Sequence, residues 1–479
     1  MAVTAPDPRR WKALALICSA FFMTVLDVAI VNVALPTIKT SLHFSQPNLQ
    51  WVITAYSLTF GGFLLLGGRI GDLLGRRRIF MIGTGLFTLA SLTCGLAQNE
   101  AMLIVARGVQ GLGAALISPA VLAIISTTFE EGAERNKALG VSGAVAGSGA
   151  AFGVLLGGVL TKYLGWEWIF FVNVPVGALV LILTTRFVRE STADVEHRSY
   201  DTAGAVTITT ALIILVYAIS RAPFVGWASA RTIGLLVVSV VLAGIFIWLE
   251  SHVKAPLLRL GIFRLRTLAG ANVVGFLLAG SLFAMFFLLT FYMQQVLGYS
   301  ALQTGVGFLA TAGTVVVVAG IAQMLVTRVG VKPILATGML LLTISQLRYT
   351  HLPVQGHYLG DLMPWFFIAG IGLAFAFIPV TIAALAGVAP YEAGLASGLI
   401  NTSQQVGGAI GVAVASTVYT SHLKTLLKSG DTQPVALTGG FHWAFYVTTV
   451  IAFVGCLAAL ALIHKEDIPE GEATPVAAA

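Results

Sequence analysis

The sequence predicts an all-α polytopic membrane protein of fourteen transmembrane helices, arranged as two six-helix bundles with two inserted helices between them. Three observations predict it. Of the 479 residues, 57% are hydrophobic and 10% charged, where a soluble domain is nearer a quarter charged; mean hydropathy is +0.91. The apolar residues fall in runs of about twenty, the length a helix needs to cross roughly 30 Å of hydrocarbon, without the ten-residue alternation of a membrane barrel. Finally, the chain echoes itself at one offset: Gly75 and Gly330, Ser142-Gly143 and Ser397-Gly398, and Gly153 and Gly408 all stand 255 positions apart.

Each span follows from an apolar run broken by short polar loops. They cover about 13–35, 51–70, 79–98, 102–127, 138–160, 168–186, 202–220, 232–250, 268–290, 304–326, 334–350, 363–387, 395–420 and 442–464. The eleventh carries Gln346 and Arg348 near its end and is the least apolar in pattern. The echo relates spans 1–6 to spans 9–14, so the N-terminal bundle is expected over 1–190, a linker with the two inserted helices over 191–262, and the C-terminal bundle over 263–465. The tail, 466–479, reads as disordered and cytoplasmic.

Lysine and arginine set the orientation. With the N-terminus in the cytoplasm, nineteen of the 27 fall in inner loops, seven in outer loops, and Arg107 lies within a span. Both termini are therefore expected inside a cytoplasmic membrane. The basic N-terminus precedes an apolar run too long for a signal peptide and without a small-residue cleavage site, so it reads as a retained first helix. The net charge of +7 invites a nucleic-acid partner, but the basic residues sit at helix ends on one side rather than in one patch. Cys18, Cys94 and Cys456 all fall in apolar runs and read as small buried hydrophobes, not a disulfide or metal site.

Asp27 is the acid placed deep in a span. An ionised Asp at mid-membrane costs about 2.5–3.5 kcal/mol on insertion scales. It is therefore paired, neutral part of the time, or open to water, which suits a group that loads and releases a proton; a simple interhelical hydrogen bond is the alternative. Asn32 lies farther along the same helix and reads either as lining the same cavity or as interhelical glue. Arg107 cannot discharge, so it needs an acid or carbonyl partner, or must snorkel to the surface. Gln110, three residues on, shares its helix face and is expected to line the substrate cavity. Asn401, Gln404 and Gln405 share a face of span 13 and fit a cavity wall or interhelical hydrogen bonds.

Gly68-Arg-Ile-Gly-Asp72-Leu-Leu-Gly75-Arg76-Arg77-Arg78 is a tight basic hairpin between spans 2 and 3. Topology explains the arginines but not Asp72. An acid there fits the N-terminus of another helix, where the dipole favours negative charge, and span 13, beginning near Ala393-Gly394, is the candidate for a cytoplasmic gate. In span 5, Gly143 and Gly147, then Gly149, Gly153 and Gly157, follow the small-xxx-small spacing that lets helices approach closely, with Gly158 beside them. No strand precedes this run, so it is not a dinucleotide loop.

These residues resemble the major facilitator superfamily, and within it the fourteen-helix drug:proton antiporters of EmrB/QacA type, over nearly the whole chain. Leu26-Asp27-Val-Ala-Ile-Val-Asn32-Val-Ala-Leu-Pro36 resembles that branch's first-helix motif, and Gly68-x-x-x-Asp72-x-x-Gly75-Arg76-Arg77 the superfamily's loop signature. Arg107-Gly-Val-Gln110-Gly111 is similar to the fourth-helix motif linked to proton coupling. Trp166-Glu-Trp168-Ile-Phe-Phe-Val-Asn173-Val-Pro175-Val-Gly177 is similar to the branch's sixth-helix opening. Two positions depart from the pattern: Val154 follows Gly153 where the fifth-helix motif has proline, and Glu167 stands where the branch usually has arginine.

The resemblance implies a major facilitator fold and alternating access. A drug or other small lipophilic or cationic compound would leave as protons enter, driven by the proton gradient with no cofactor and no metal, in a functional monomer. Asp27 and Arg107 are its expected proton-coupling pair. A proton symporter importing a small nutrient is the nearest alternative, and an uncoupled channel the next. No nucleophile–base pair or metal-ligand spacing suggests an enzyme, and the eight histidines are scattered.

Overall fold

The computed structural model describes residues 9–44, 49, 51–192, 201–253, 256, 258, 260–389 and 392–463. The expected tail, and residues 193–200 of the expected linker, lie outside them. Helices dominate, as they must where lipid offers backbone groups no water. In chain order they are α1 (Arg10–Ser41), α2 (Trp51–Leu74), α3 (Arg76–Gly95), α4 (Glu100–Thr128) and α5 (Ala133–Tyr163). Next is α6 (Trp168–Phe187), which breaks once, at Val172. Then come α7 (Thr202–Val225), α8 (Ala230–His252), α9 (Arg266–Gln295), α10 (Ala301–Val329), α11 (Val331–Tyr349), α12 (Met363–Leu385), α13 (Ala393–Lys428) and α14 (Gln433–Leu462).

Eleven spans among the described residues are long and apolar enough to cross a membrane; α5 and α7 supply shorter apolar stretches, Phe152–Tyr163 and Ala203–Ile219. Polarity sets α11 apart: nineteen residues long, it carries Lys332, Gln346 and Arg348. The most enclosed spans are those of α4 and α12, whereas α8 is 17% buried and turns Val237, Val240, Ile247 and Trp248 outward. Such an apolar exterior is what a bilayer would cover.

The two halves pack alike. In the first, α1 lies on α5, while α2 and α3 lie on α4; in the second, α9 lies on α13, while α10 and α11 lie on α12. Individual contacts repeat too. Gly113 of α4 abuts Gly83 and Phe87 of α3, and Gly372 of α12 abuts Gly338 and Leu342 of α11. The offset is thus 255 for α3 and α11 but 259 for α4 and α12, four residues having entered before α12. Gly75 (φ +109°) parts α2 from α3 and Gly330 (φ +89°) parts α10 from α11. Both take the left-handed backbone that glycine adopts without strain, so each stops one helix and starts the next. Between the halves, α5 packs along α10 and α2 meets α13; α7 pairs with α8 and leans on both α2 and α13.

The glycine stripe of α5 holds α1. A Cβ on Gly149 would lie 2.5 Å from Val25, one on Gly153 would lie 2.7 Å from both Ala29 Cβ and Leu26 O, and one on Gly157 would lie 2.8 Å from Ile30 O. Gly158 faces the other half, where a Cβ built on it would lie 3.2 Å from Leu302 Cα of α10. Helix α5 runs unbroken through Val154, and Gly305 of α10 abuts the Val154–Leu155 backbone. Because the contact at Gly153 is with backbone as well as side chain, Gly153→Val has no room to relax. It should cost about 1–3 kcal/mol, read as a lower melting temperature of the purified protein, whereas Gly234→Val on α8, where nothing lies within 4 Å, should leave it unchanged.

Candidate functional site

Asp27 sits midway along α1 among buried Leu26, Ile30 and Val31, and is itself 0% exposed. In such surroundings a charge persists only if other groups solvate it, and four other helices supply them. Arg107 Nη1 of α4 donates to Asp27 Oδ2 at 2.5 Å and to Gln110 Oε1 at 2.7 Å. Its Nε donates to Val52 O of α2 at 2.9 Å, and its guanidinium lies 4.4 Å from the Tyr56 ring centroid. Gln110 Nε2 donates to Asp27 Oδ1 and to Ser91 Oγ of α3, both at 2.8 Å. Asn173 Nδ2 of α6 donates to Ser91 Oγ at 2.9 Å and reaches Asp27 Oδ1 at 3.4 Å. Every member is buried.

Some sequence expectations do not survive this geometry. Gln110, expected on a cavity wall, is enclosed in the network, where its amide is used at both ends. Asn32 does not share the Asp27 site: five residues turn a helix by about 500°, leaving the two side chains some 140° apart. It is exposed and donates to Val28 O of its own turn. Ser91, Asn173 and Tyr56 were not singled out as site residues. Asn173 offered a signal, a lone amide at the start of an apolar helix; Ser91 and Tyr56 offered none that separates them from other serines and tyrosines in spans.

Asn401 and Gln404 do meet residues of the other half. With Phe21, Leu122, Ser142, Phe377 and Thr381 they line a pocket of about 20 Å³, room for roughly one water. Gln405, half-buried, is not among its lining residues. A larger concavity, about 480 Å³, is an apolar groove on α3 and α4 walled by Leu89, Val105 and Met102. It holds no ionisable group and faces outward, away from the charges.

The basic hairpin forms a second polar centre, between the halves. Asp72 ends α2 and is 0% exposed. Its Oδ1 accepts from Arg76 Nε at 3.0 Å and Nη2 at 2.6 Å, and from Gly394 N at 3.2 Å; its Oδ2 accepts from Leu395 N at 3.1 Å. Gly394 and Leu395 open α13, so their N–H groups are the unpaired donors of a helix start. Close approach is possible because a Cβ on Gly68 would lie 2.3 Å from Gly394 O. Arg77 pairs with Glu190 at 3.7 Å, and the Arg77 and Arg78 N–H groups both donate to that carboxylate. Gly75 abuts it as well, 2.7 Å from Glu190 Oε1 to a Cβ built there. Glu167 precedes α6, where the helix dipole favours an acid.

The buried ion pair and the contact between halves are set in a bundle of long apolar helices, the build of a polytopic membrane protein. The chain belongs to the Major Facilitator Superfamily, whose model matches residues 17–412. It is 40% identical over 466 residues to "Puromycin resistance protein pur8" of Streptomyces alboniger, covering 96% of this chain and 92% of that one. It is 38% identical over 428 residues to "Multidrug resistance protein Stp" of Mycobacterium tuberculosis, covering 88% and 78%. Its fold matches the crystal structure of the human organic anion transporter MFSD10 (TETRAN) with a TM-score of 0.68 at 16% identity, over 95% of this chain and all of that one.

Removing Asp72 takes an acceptor from four donors at once. Charge-assisted hydrogen bonds contribute about 1.5–3 kcal/mol each, so losing even one favours separation of α2 from α13 by about tenfold. Ser397, 0% exposed on α13, reports it: in Ser397→Cys protein, adding Asp72→Ala should speed labelling by a membrane-permeant maleimide about tenfold.

Proposed function

We propose that this chain is a proton-coupled exporter of drugs or other small lipophilic or cationic compounds. It would work by alternating access as a monomer in the cytoplasmic membrane, with both termini inside and no cofactor. The carrying observation is Asp27, fully buried and held by Arg107, Gln110 and Asn173. The direction of transport is supported by relatives named for puromycin and multidrug resistance.

The proposed cycle follows from what the network can and cannot do. While Arg107 lies against Asp27 the carboxylate keeps its charge and has no need of a proton. Pulling the two apart without compensation costs about 3–5 kcal/mol, more than the roughly 2.3 kcal/mol that one charge gains from 100 mV. Separation and protonation therefore go together: water entering from the outside solvates Arg107 as Asp27 takes a proton. When α2 and α13 part at the cytoplasmic end, Asp27 loses that proton and re-forms the pair. Substrate binds between the halves, near Asn401 and Gln404, and the Asp72–α13 latch keeps the cytoplasmic end shut until the halves rock.

The test uses proteoliposomes with an imposed pH gradient and a panel of lipophilic cations and neutral drugs. Asp27→Asn should abolish gradient-driven movement while leaving counterflow exchange of substrate measurable. Undiminished gradient-driven transport by that variant would refute the role of Asp27. Accumulation of substrate in the direction of proton flow would instead identify a symporter.

A further inference from the structure

Asp201 and Glu250 stand outside both the charge network and the latch, yet both are buried, at 9% and 5% exposure. They close the base of the inserted hairpin. Asp201 caps α7, its Oδ1 accepting from Gly204 N at 2.8 Å. Glu250 lies in the last turns of α8, and its Oε2 accepts from Leu258 N at 3.0 Å, holding Leu258 against the helix. The other two oxygens, Asp201 Oδ2 and Glu250 Oε1, are buried with no donor among the described residues. They converge: a Cβ on Gly204 would lie 2.4 Å from one and 2.6 Å from the other. Among the described residues, the nearby charge on the neighbouring helix is Arg69 of α2, whose Nη2 donates to Pro256 O at 3.5 Å. Arg69 adjoins Gly68, the residue that touches α13.

Two ionised carboxylates offer acceptors only, and like charges in one buried site cannot both persist. One proton resolves both problems. It makes one acid a donor to the other, gives the two orphaned oxygens partners, and leaves a single negative charge opposite Arg69. We propose that Asp201 and Glu250 share one proton as a second buried proton-holding site, and that this proton docks the α7–α8 hairpin onto α2 beside the latch. Loss of the proton sets two negative charges against each other and releases the segment around Leu258. Docking in this scheme takes up a proton, so it is favoured at low pH and weakened as pH rises, by up to about tenfold per pH unit.

The test needs no transport, so it stands or falls separately from the exporter proposal. Leu258, 6% exposed, is replaced by cysteine in the full chain, reconstituted in nanodiscs, and labelled by a maleimide from pH 6 to pH 9, above the background of the three native cysteines, all buried. Rates are divided by those of the same reporter in Glu250→Gln protein, whose amide is a permanent donor; the thiol's own titration cancels in the ratio. The ratio should be near one at the acidic end and rise at least several-fold at the alkaline end. A flat ratio overturns the proposal. Should Glu250→Gln fail to fold, Asp201→Asn serves in its place, since asparagine caps a helix as well as aspartate and also supplies an amide donor. Protection at high pH that depends on sodium or potassium, and vanishes in a bulky organic cation, would identify a metal-cation site and overturn the proton.

Discussion

The bond between Asp27 and Arg107 is the constraint to which the first half is built. Neither charge is tolerable alone at 0% and 1% exposure, and together they recover only part of what leaving water costs. The remainder comes from Gln110, Asn173, the Val52 carbonyl and the Tyr56 ring, so α1, α2, α3, α4 and α6 must all keep their register for the pair to exist. The glycine stripe of α5 completes this, because Gly153 and Gly157 press on the backbone of α1 on either side of Asp27.

The second half shows that stability alone does not demand those charges. With the register set by the Gly113–Gly83 and Gly372–Gly338 contacts, Arg107 corresponds to Phe366 and Gln110 to Ala369, both 0% exposed. Ser91 corresponds to Gln346, which donates to Ser281 of α9. The latch is likewise neutral there: Gln323 and Thr327 occupy the places of Gly68 and Asp72, and Gln323 Nε2 donates to Thr327 Oγ1 at 3.1 Å. The same helical frame thus stands with aromatic and amide groups where the first half holds ions. An apolar replacement for a buried ion pair is commonly neutral or stabilising, so the charges of the first half need a reason other than folding.

Much of this was legible in sequence because a bilayer limits the choices so severely. Apolar run length locates helices, and loop charge orders them. The acid and the guanidinium were visible because each is anomalous in its span. What was hidden is of two kinds. Neutral partners such as Ser91 and Tyr56 look like ordinary residues of a span, since a hydroxyl costs little to place there and gains meaning only from its neighbours. Faces were also misjudged: Asn32 shares a motif with Asp27 but not a side of the helix, and Gln404 and Gln405, adjacent in sequence, differ in whether they line the pocket between the halves. The echo was readable where α2 meets α3 and along α5 but obscured at α4, because four extra residues shift α12 while leaving its packing intact.

The two polar centres differ in what breaking them entails, and that difference matches their positions. Asp72 retains Arg76, its neighbour one turn away, when the N–H groups of Gly394 and Leu395 withdraw. Those backbone groups, at a helix start on the side of the basic loops, can bond water instead. The exchange is of one hydrogen bond for another, and its net cost is about 1.5–3 kcal/mol per bond to the carboxylate, which fits a contact that opens in the proposed cycle. Asp27 has no such reserve, because each of its partners is buried and none can be replaced by water without parting helices. In the proposed cycle the contact between halves therefore yields while the interior of the first half holds, and that half rocks about α5 and α10 with its ion pair intact until water or a proton takes a partner's place.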